Sequence, residues 1–209
     1  MGDETPLPAG SLSGWLGAMQ ASLRGEVDAD VPCDGCTACC TSSQFVHIGP
    51  EETEALAAIP EELLFPAPRL PRGHVVLGYD EKGHCPMLVG GACSIYEHRP
   101  RTCRTYDCRI FPATGIVPDE DGKEAIAARA LRWRFDVDGI DDAVTRDALQ
   151  AAAQFVKRHR PARGATEKAV LAIEVYDAFV EVDEETGHRA VVEPDPHVLL
   201  GIGPWPSSL

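Results

Sequence analysis

Apolar residues at Leu12, Trp15, Leu16, Met19 and Leu23 recur with the i, i+3, i+4, i+7, i+11 spacing of one helix face. Ser11 or Ser13 stands where an N-cap is needed, and Gly25 stands where such a helix stops. This predicts an amphipathic helix docked on a core. Its polar face lacks the Lys and Arg that a membrane-surface helix carries. Residues 1–10 hold two prolines and little apolar content, and read as a disordered or draped tail. Farther along, the pattern shifts to short apolar runs of strand type at residues 45–48 and 75–79, the second followed by a turn at Asp80-Glu81-Lys82-Gly83. Between them, Pro50-Glu51-Glu52 opens a helix to about Ile59, with proline and acids in the first turn. Prolines at 60, 66, 68 and 71 leave the next segment a loop with at most one helical turn.

The C-terminal part returns to helical spacing. Residues 125–135 fit a helix or a strand equally well. Asp136-Val137-Asp138-Gly139 lacks calcium-loop spacing and reads as a turn into the next helix. That helix, residues 142–159, places Val144, Ala148, Ala152, Phe155 and Val156 on one side and basic residues in its last turn. Pro161 to Gly164 break it. Thr166 then caps a second helix to about Val180, with Ala169, Val170, Ile173, Tyr176 and Val180 inward, so the two form a helical hairpin. The four prolines of residues 193–209 suggest an extended strap. The expected fold is α+β, mostly helical with short strands, around a small loop-rich core stapled by metal. Residues 1–30 form a tail and helix, 31–135 a cysteine-rich domain, and 136–209 a hairpin and tail packed on it as one structural unit.

The chemistry concentrates in the cysteines. Cys33-Asp34-Gly35-Cys36-Thr37-Ala38-Cys39-Cys40 puts four sulfurs in eight residues. A C-x2-C turn brings two sulfurs to one side of a tight loop, and Gly35 supplies the positive φ such a loop often requires. Cys39 extends this to the three-sulfur run of cluster-binding loops. Cys40 is adjacent to Cys39, so the two point apart and are expected to serve different metals or different metal atoms of one cluster. Four more sulfurs follow at Cys85, Cys93, Cys103 and Cys108. Gly90-Gly91 lets the chain double back and bring Cys85 to Cys93, while Pro100 suits the first turn of a short helix carrying Cys103 and Cys108. His47, His84 and His98 lie close enough in sequence to substitute as ligands.

Charge and composition narrow the options. Nineteen Lys and Arg against 33 Asp and Glu give a net charge of −14, which argues against nucleic-acid or anionic-membrane binding. No run approaches the length of a membrane span, and the acidic start lacks a secretory pattern. Eight cysteines without such a leader point to a cytoplasmic, reducing setting and to metal ligation rather than disulfides. No G-x-S-x-G elbow, P-loop, H-E-x-x-H or dinucleotide fingerprint is present, so any reaction belongs at the metal.

The C-x2-C-x2-C-C run, Cys85-Pro86, Cys93-Ser94-Ile95-Tyr96-Glu97, Arg99-Pro100 and Cys103-Arg104 together resemble the zinc- or iron-chelating cysteine-cluster (CxxCxxCC) family over residues 33–108. The resemblance implies metal binding. Some relatives are described as iron–sulfur proteins and others resemble flagellin lysine methylases, so it does not imply one reaction. Zinc favours closed tetrahedral thiolate sites, and iron–sulfur clusters also take four thiolates each. The three-cysteine run leans toward iron–sulfur. Arg99 and Arg104, with Arg101 and Arg109, are placed to offset thiolate charge or donate to sulfur, and Tyr96 belongs to the same motif. Three functions follow: metal-centred redox or enzyme chemistry on a protein or small molecule, a structural-zinc module for protein partners, and metal storage or delivery.

Overall fold

The structure, a computed structural model, describes residues 5–28, 31, 35–196 and 199. In chain order its regular elements begin with β1 (Leu7–Ser11), α1 (Leu12–Leu23), β2 (Val46–Ile48), α2 (Thr53–Ala58), β3 (Leu64–Pro66) and β4 (Val75–Leu77). Then come β5 (Leu88–Val89), β6 (Ala92–Cys93), α3 (Arg101–Thr105), α4 (Ile110–Thr114), α5 (Glu124–Ala130) and β7 (Trp133–Asp136). The chain continues through α6 (Gly139–His159), α7 (Ala165–Val175), β8 (Val180–Val182) and β9 (Arg189–Val191). The class is α+β with short strands, as the periodicity predicts. The chain divides into two compact units, neither continuous in sequence. One comprises the chain up to Gln20, Cys108–Glu120 and the chain from Ala130; the other comprises Ala21–Asp107 and Asp121–Arg129.

The first unit is built on the α6–α7 pair. Ala148, Leu149, Ala152, Ala153, Phe155 and Val156 of α6 face Ala169, Val170, Ala172 and Ile173 of α7, and all are buried. Alanines on both faces let the axes approach closely, and Phe155 meets Phe179 edge-on with ring centroids 5.8 Å apart. Ile110 and Phe111 of α4 are buried, and α4 packs against both long helices. Leu12, Trp15, Leu16 and Met19 are all buried, so α1 forms with the face its spacing predicts. Ser11 caps it, its hydroxyl accepting from Gly14 N at 3.2 Å.

Several expectations in this unit are corrected. The N-terminal stretch is not simply a draped tail. Residues 7–11 pair in parallel with β7, Leu7 opposite Trp133, across a bulge between Pro8 and Gly10 that accommodates the missing proline donor. Residues 125–135 are helix first and strand second. The second long helix ends at Val175 rather than about Val180; the chain turns through a 3₁₀ segment at Tyr176–Phe179 into the β8–β9 hairpin. Its N-cap is Gly164, not Thr166. The strap expected at 193–209 lies mostly outside the described residues.

The second unit has a small core. Val46, Ile48, Ala55, Ile59, Leu77, Met87 and Ile95 cluster together, with Cys85 and Cys93 packed against them. Its three-stranded antiparallel sheet runs in the order β2–β4–β3. The strand β3 falls inside the proline-rich loop predicted from sequence; Pro66 sits at a strand end on an edge, where its missing N–H costs little. The helix predicted after Pro50 forms as α2, with Glu52 at its N-cap.

Candidate metal centre

The cysteine knuckle is described from Gly35 onward, and Cys33 lies outside the described residues. Gly35 takes φ +73°, the left-handed conformation its place between two cysteines requires. Cys39 and Cys40 then begin a 3₁₀ turn, Cys39–Thr41, closed by Thr41 N donating to Thr37 O at 3.0 Å. The Ser42 hydroxyl donates to Ala38 O at 2.6 Å and tightens the same turn. Cys36, Cys39 and Cys40 are all half-buried.

The distal stretch is tied directly to this turn. Cys85 N donates to Cys40 O at 2.7 Å, which joins two cysteines 45 residues apart in sequence. After Cys85 the chain turns back on itself, Leu88 N donating to Cys85 O at 2.9 Å. The backbone N–H groups of Met87 and Leu88 also donate toward the Cys85 sulfur. Such donors favour the thiolate, the form that ligates metal. Gly90 and Gly91, at φ +61° and +81°, make the two-residue turn of the β5–β6 hairpin. Cys93 stands opposite Leu88 in that hairpin.

Pro100 precedes α3, which carries Cys103. The Thr102 hydroxyl donates to His47 O at 2.7 Å and holds α3 on the edge of β2. The expected helix does not reach Cys108. It ends at Thr105, and Tyr106 leaves helical geometry at ψ 114°. Cys108 therefore falls in the first unit, buried, where it receives the Trp133 indole N–H at 3.2 Å.

Electrostatics pick out four of these sulfurs. Cys103 keeps an exposed side, yet burial of its sulfur and the nearby Cys85, Cys40 and Cys93 push its thiol up to about 12, against a lowering pull from Arg99. Burial also raises the Cys85 thiol, with Cys93 adding to it, while the Met87 and Leu88 N–H groups oppose it. A thiol that burial and neighbouring thiols push up in this way is one whose charged form calls for a cation. Among the described residues, no group of three or more His, Cys, Asp or Glu is gathered closely enough to hold an ion. The donor chemistry fits a thiophilic metal, while the described sulfurs stand near one another without closing a coordination shell.

The residues expected to support the sulfurs separate. Arg99 stacks on the Tyr96 ring, its Cζ 3.8 Å from the centroid, and acts on Cys103. Arg104 instead pairs with Asp28, Nε to Oδ2 3.2 Å. Arg101 packs against Gly25 and donates to Ser22 O at 3.4 Å. Two of the three histidines have other ring partners: His47 Nε2 meets His74 Nδ1 at 2.9 Å and His98 pairs with Glu54 at 3.6 Å, while Asp80 accepts from the backbone N–H of His84.

Lys123 has no counterpart among the sequence candidates. Its ammonium donates to Ser42 O at 2.8 Å, Ser43 O at 3.1 Å and Gln44 Oε1 at 2.9 Å, gripping the chain where it leaves the knuckle. Ser43 takes φ +47° there, and Gly83 and Gly122 flank its hydroxyl so closely that a Cβ at either would collide with it. The one sequence signal was a single lysine within the acidic stretch Asp119-Glu120-Asp121-Gly122-Lys123-Glu124.

Residues 32–128 match the CxxCxxCC family, described as a "putative zinc- or iron-chelating domain". The match spans 97 of 209 residues (128 − 32 + 1), just under half of the chain, and reaches past the last cysteine to take in Lys123. No curated protein and no solved structure matches the chain. No helix among the described residues is long and apolar enough to cross a membrane.

Proposed function

We propose that this chain is a metal-binding protein in which Cys40, Cys85, Cys93 and Cys103 hold zinc or iron, with Cys33, Cys36, Cys39 and Cys108 as further ligands. The observation that carries the reading is the meeting of three separated stretches. The Cys40–Cys85 backbone bond, the glycine-turned hairpin and α3 bring these four cysteines near one another. The match of residues 32–128 to a zinc- or iron-chelating domain supports it independently.

An iron–sulfur cluster is the favoured form, on the C-x2-C-x2-C run, and it would supply one-electron redox chemistry. The residues around the sulfurs do the rest. Met87 and Leu88 N–H groups stabilise charge on Cys85, Arg99 does so for Cys103, and Lys123 fixes the exit of the knuckle. Eight thiols kept reduced point to the cytoplasm. Surplus negative charge directs partners away from nucleic acid and anionic membranes, toward a protein or a small molecule.

A second reading, a structural zinc that supports a protein-binding module, is favoured by one observation. The core of the second unit is small, and two of the proposed ligands, Cys85 and Cys93, are packed against it. Metal analysis of anaerobically purified protein, with optical and paramagnetic spectra, tests both. Visible absorption with iron and sulfide supports the first; colourless protein with tightly held zinc supports the second. Folded protein holding under about one tenth of a metal equivalent overturns the proposal.

A further inference from the structure

A cleft of about 260 Å³ lies within the first unit, and every residue of its lining belongs to that unit. Its apolar part includes Leu12 at the start of α1, Pro112 of α4, and Trp133 and Phe135 of β7. The two rings are held in place by the fold itself. The Trp133 indole N–H donates to Cys108 Sγ at 3.2 Å, and Phe135 packs on Trp15 with ring centroids 5.2 Å apart. Aromatic surface fixed in this way loses little conformational freedom when it takes a ligand. An apolar cavity of about 150 Å³ takes a benzene ring, and clefts for drug-sized ligands start near about 300 Å³. The volume here therefore suits one ring with a short substituent.

The ionised part of the lining has one sign. Arg146 and Gln150 stand four residues apart on α6 and so share one face of that helix. Arg134 joins them from β7. Among the described residues no carboxylate lines the cleft, in a chain with 33 acidic residues against 19 Lys and Arg. Arg134 Nη1 donates to the backbone oxygens of Leu131 and Trp133, at 2.6 and 2.9 Å. Its charge meets no carboxylate among the described residues. Asp147 takes Arg146 Nε and Nη2, at 2.9 and 2.8 Å, through one oxygen. A guanidinium has five donors, so Nη1 and the far Nη2 proton remain for another anion. The Gln150 amide has no partner among the described residues.

We propose that this cleft binds a small organic carboxylate carrying one apolar ring. The ring lies against Trp133 and Phe135, the carboxylate meets Arg134 and Arg146, and Gln150 donates beside them. The proposal does not depend on metal. Its two arginines, Gln150 and both aromatic rings lie beyond residue 128, where the match to the metal-chelating domain ends.

The test titrates the nitrogen-15 labelled full chain with benzoate and, separately, with benzamide, which has the same ring and shape but no charge. The readout is the indole signal of Trp133, assigned by triple-resonance spectra of the parent protein. Benzoate is expected to shift that signal saturably and to bind about 10-fold or more tightly than benzamide, because its hydrogen bonds to arginine are charge-assisted. Arg134→Gln and Arg146→Gln, which keep a polar side chain, should each weaken benzoate by about 5–10-fold and leave benzamide near the parent value. Shifts that rise linearly to the solubility limit of benzoate, without saturation, overturn the proposal. Equal binding of the two probes also overturns it, since the cleft would then read no charge. Both probes are compared on the parent protein, so a variant that fails to fold leaves the test intact.

Discussion

A buried or half-buried ammonium is costly to leave unpaired, and Lys123 directs its three donors at three oxygens of residues 42–44. Replacing it by methionine keeps the stem and removes the donors. The two carbonyls then lose their partner just where Ser43 holds a left-handed backbone between two glycines. Lys123→Met should lower stability by about 1–3 kcal/mol and speed metal release, checked by thermal melting and chelator competition. The two motif arginines should behave differently. Arg99 acts on Cys103, whereas Arg104 is engaged by Asp28. Arg99→Ala is expected to weaken metal retention by about 10-fold or more, and Arg104→Ala to leave it near the parent value. Equal losses in both would show that charge near the site, rather than position, sets retention.

At the scale of elements, one carboxylate joins two helix starts. Asp142, in the first turn of α6, accepts Ser13 N at 3.2 Å and Asp138 N at 3.2 Å, and the first serves the open N-terminal turn of α1. The hydrogen bond from the Ser13 side chain, ahead of those from the Asp138 and Ser13 backbone and the pull of Arg189, holds its acid below the usual 3.8. A depressed folded value means its contribution is full above the unfolded value and is lost as pH falls through the folded one. Asp142→Asn should cost about 1 kcal/mol at pH 7, and the gap between variant and parent melting curves should close below about pH 4. A gap unchanged with pH would show that shape, not charge, matters there. Ser11, the α1 face and the α6–α7 pair were legible in sequence because each repeats a period over several turns. The strands β1, β3, β8 and β9 were not: prolines made β1 and β3 read as tail and loop, β8 begins at Val180 where the apolar pattern of the preceding helix continues, and β9 takes its identity from pairing with β8. At the candidate site, the Gly90-Gly91 turn and the placing of Cys103 on a short helix could be read locally. The Lys123 grip could not, since its partners lie about 80 residues away.

At the scale of the whole chain, the two units differ in what holds each together. The first has a continuous apolar core on two helices of 21 and 11 residues, with Ala148, Leu149, Ala152, Phe155, Ala169 and Ile173 at most 1% exposed. Burial of that extent, at about 25 cal/mol per Å², supports a fold without metal. The second relies on short strands, the short helices α2, α3 and α5 and a cluster of seven buried side chains, with Cys85 and Cys93 at its margin. A core that small is the setting in which a metal ion contributes folding free energy outright. Because the units interleave along the chain, this contrast cannot be read from any contiguous stretch of sequence. Removing metal should therefore act unevenly. Hydrogen exchange on chelated protein is expected to show amides of β2, β4 and the β5–β6 hairpin losing protection by about 100-fold or more, while those of α6 and α7 keep theirs. If chelation leaves all of these amides protected, the cysteines carry no structural load. If it exposes α6 and α7 equally, the first unit depends on the metal too, despite the size of its own core.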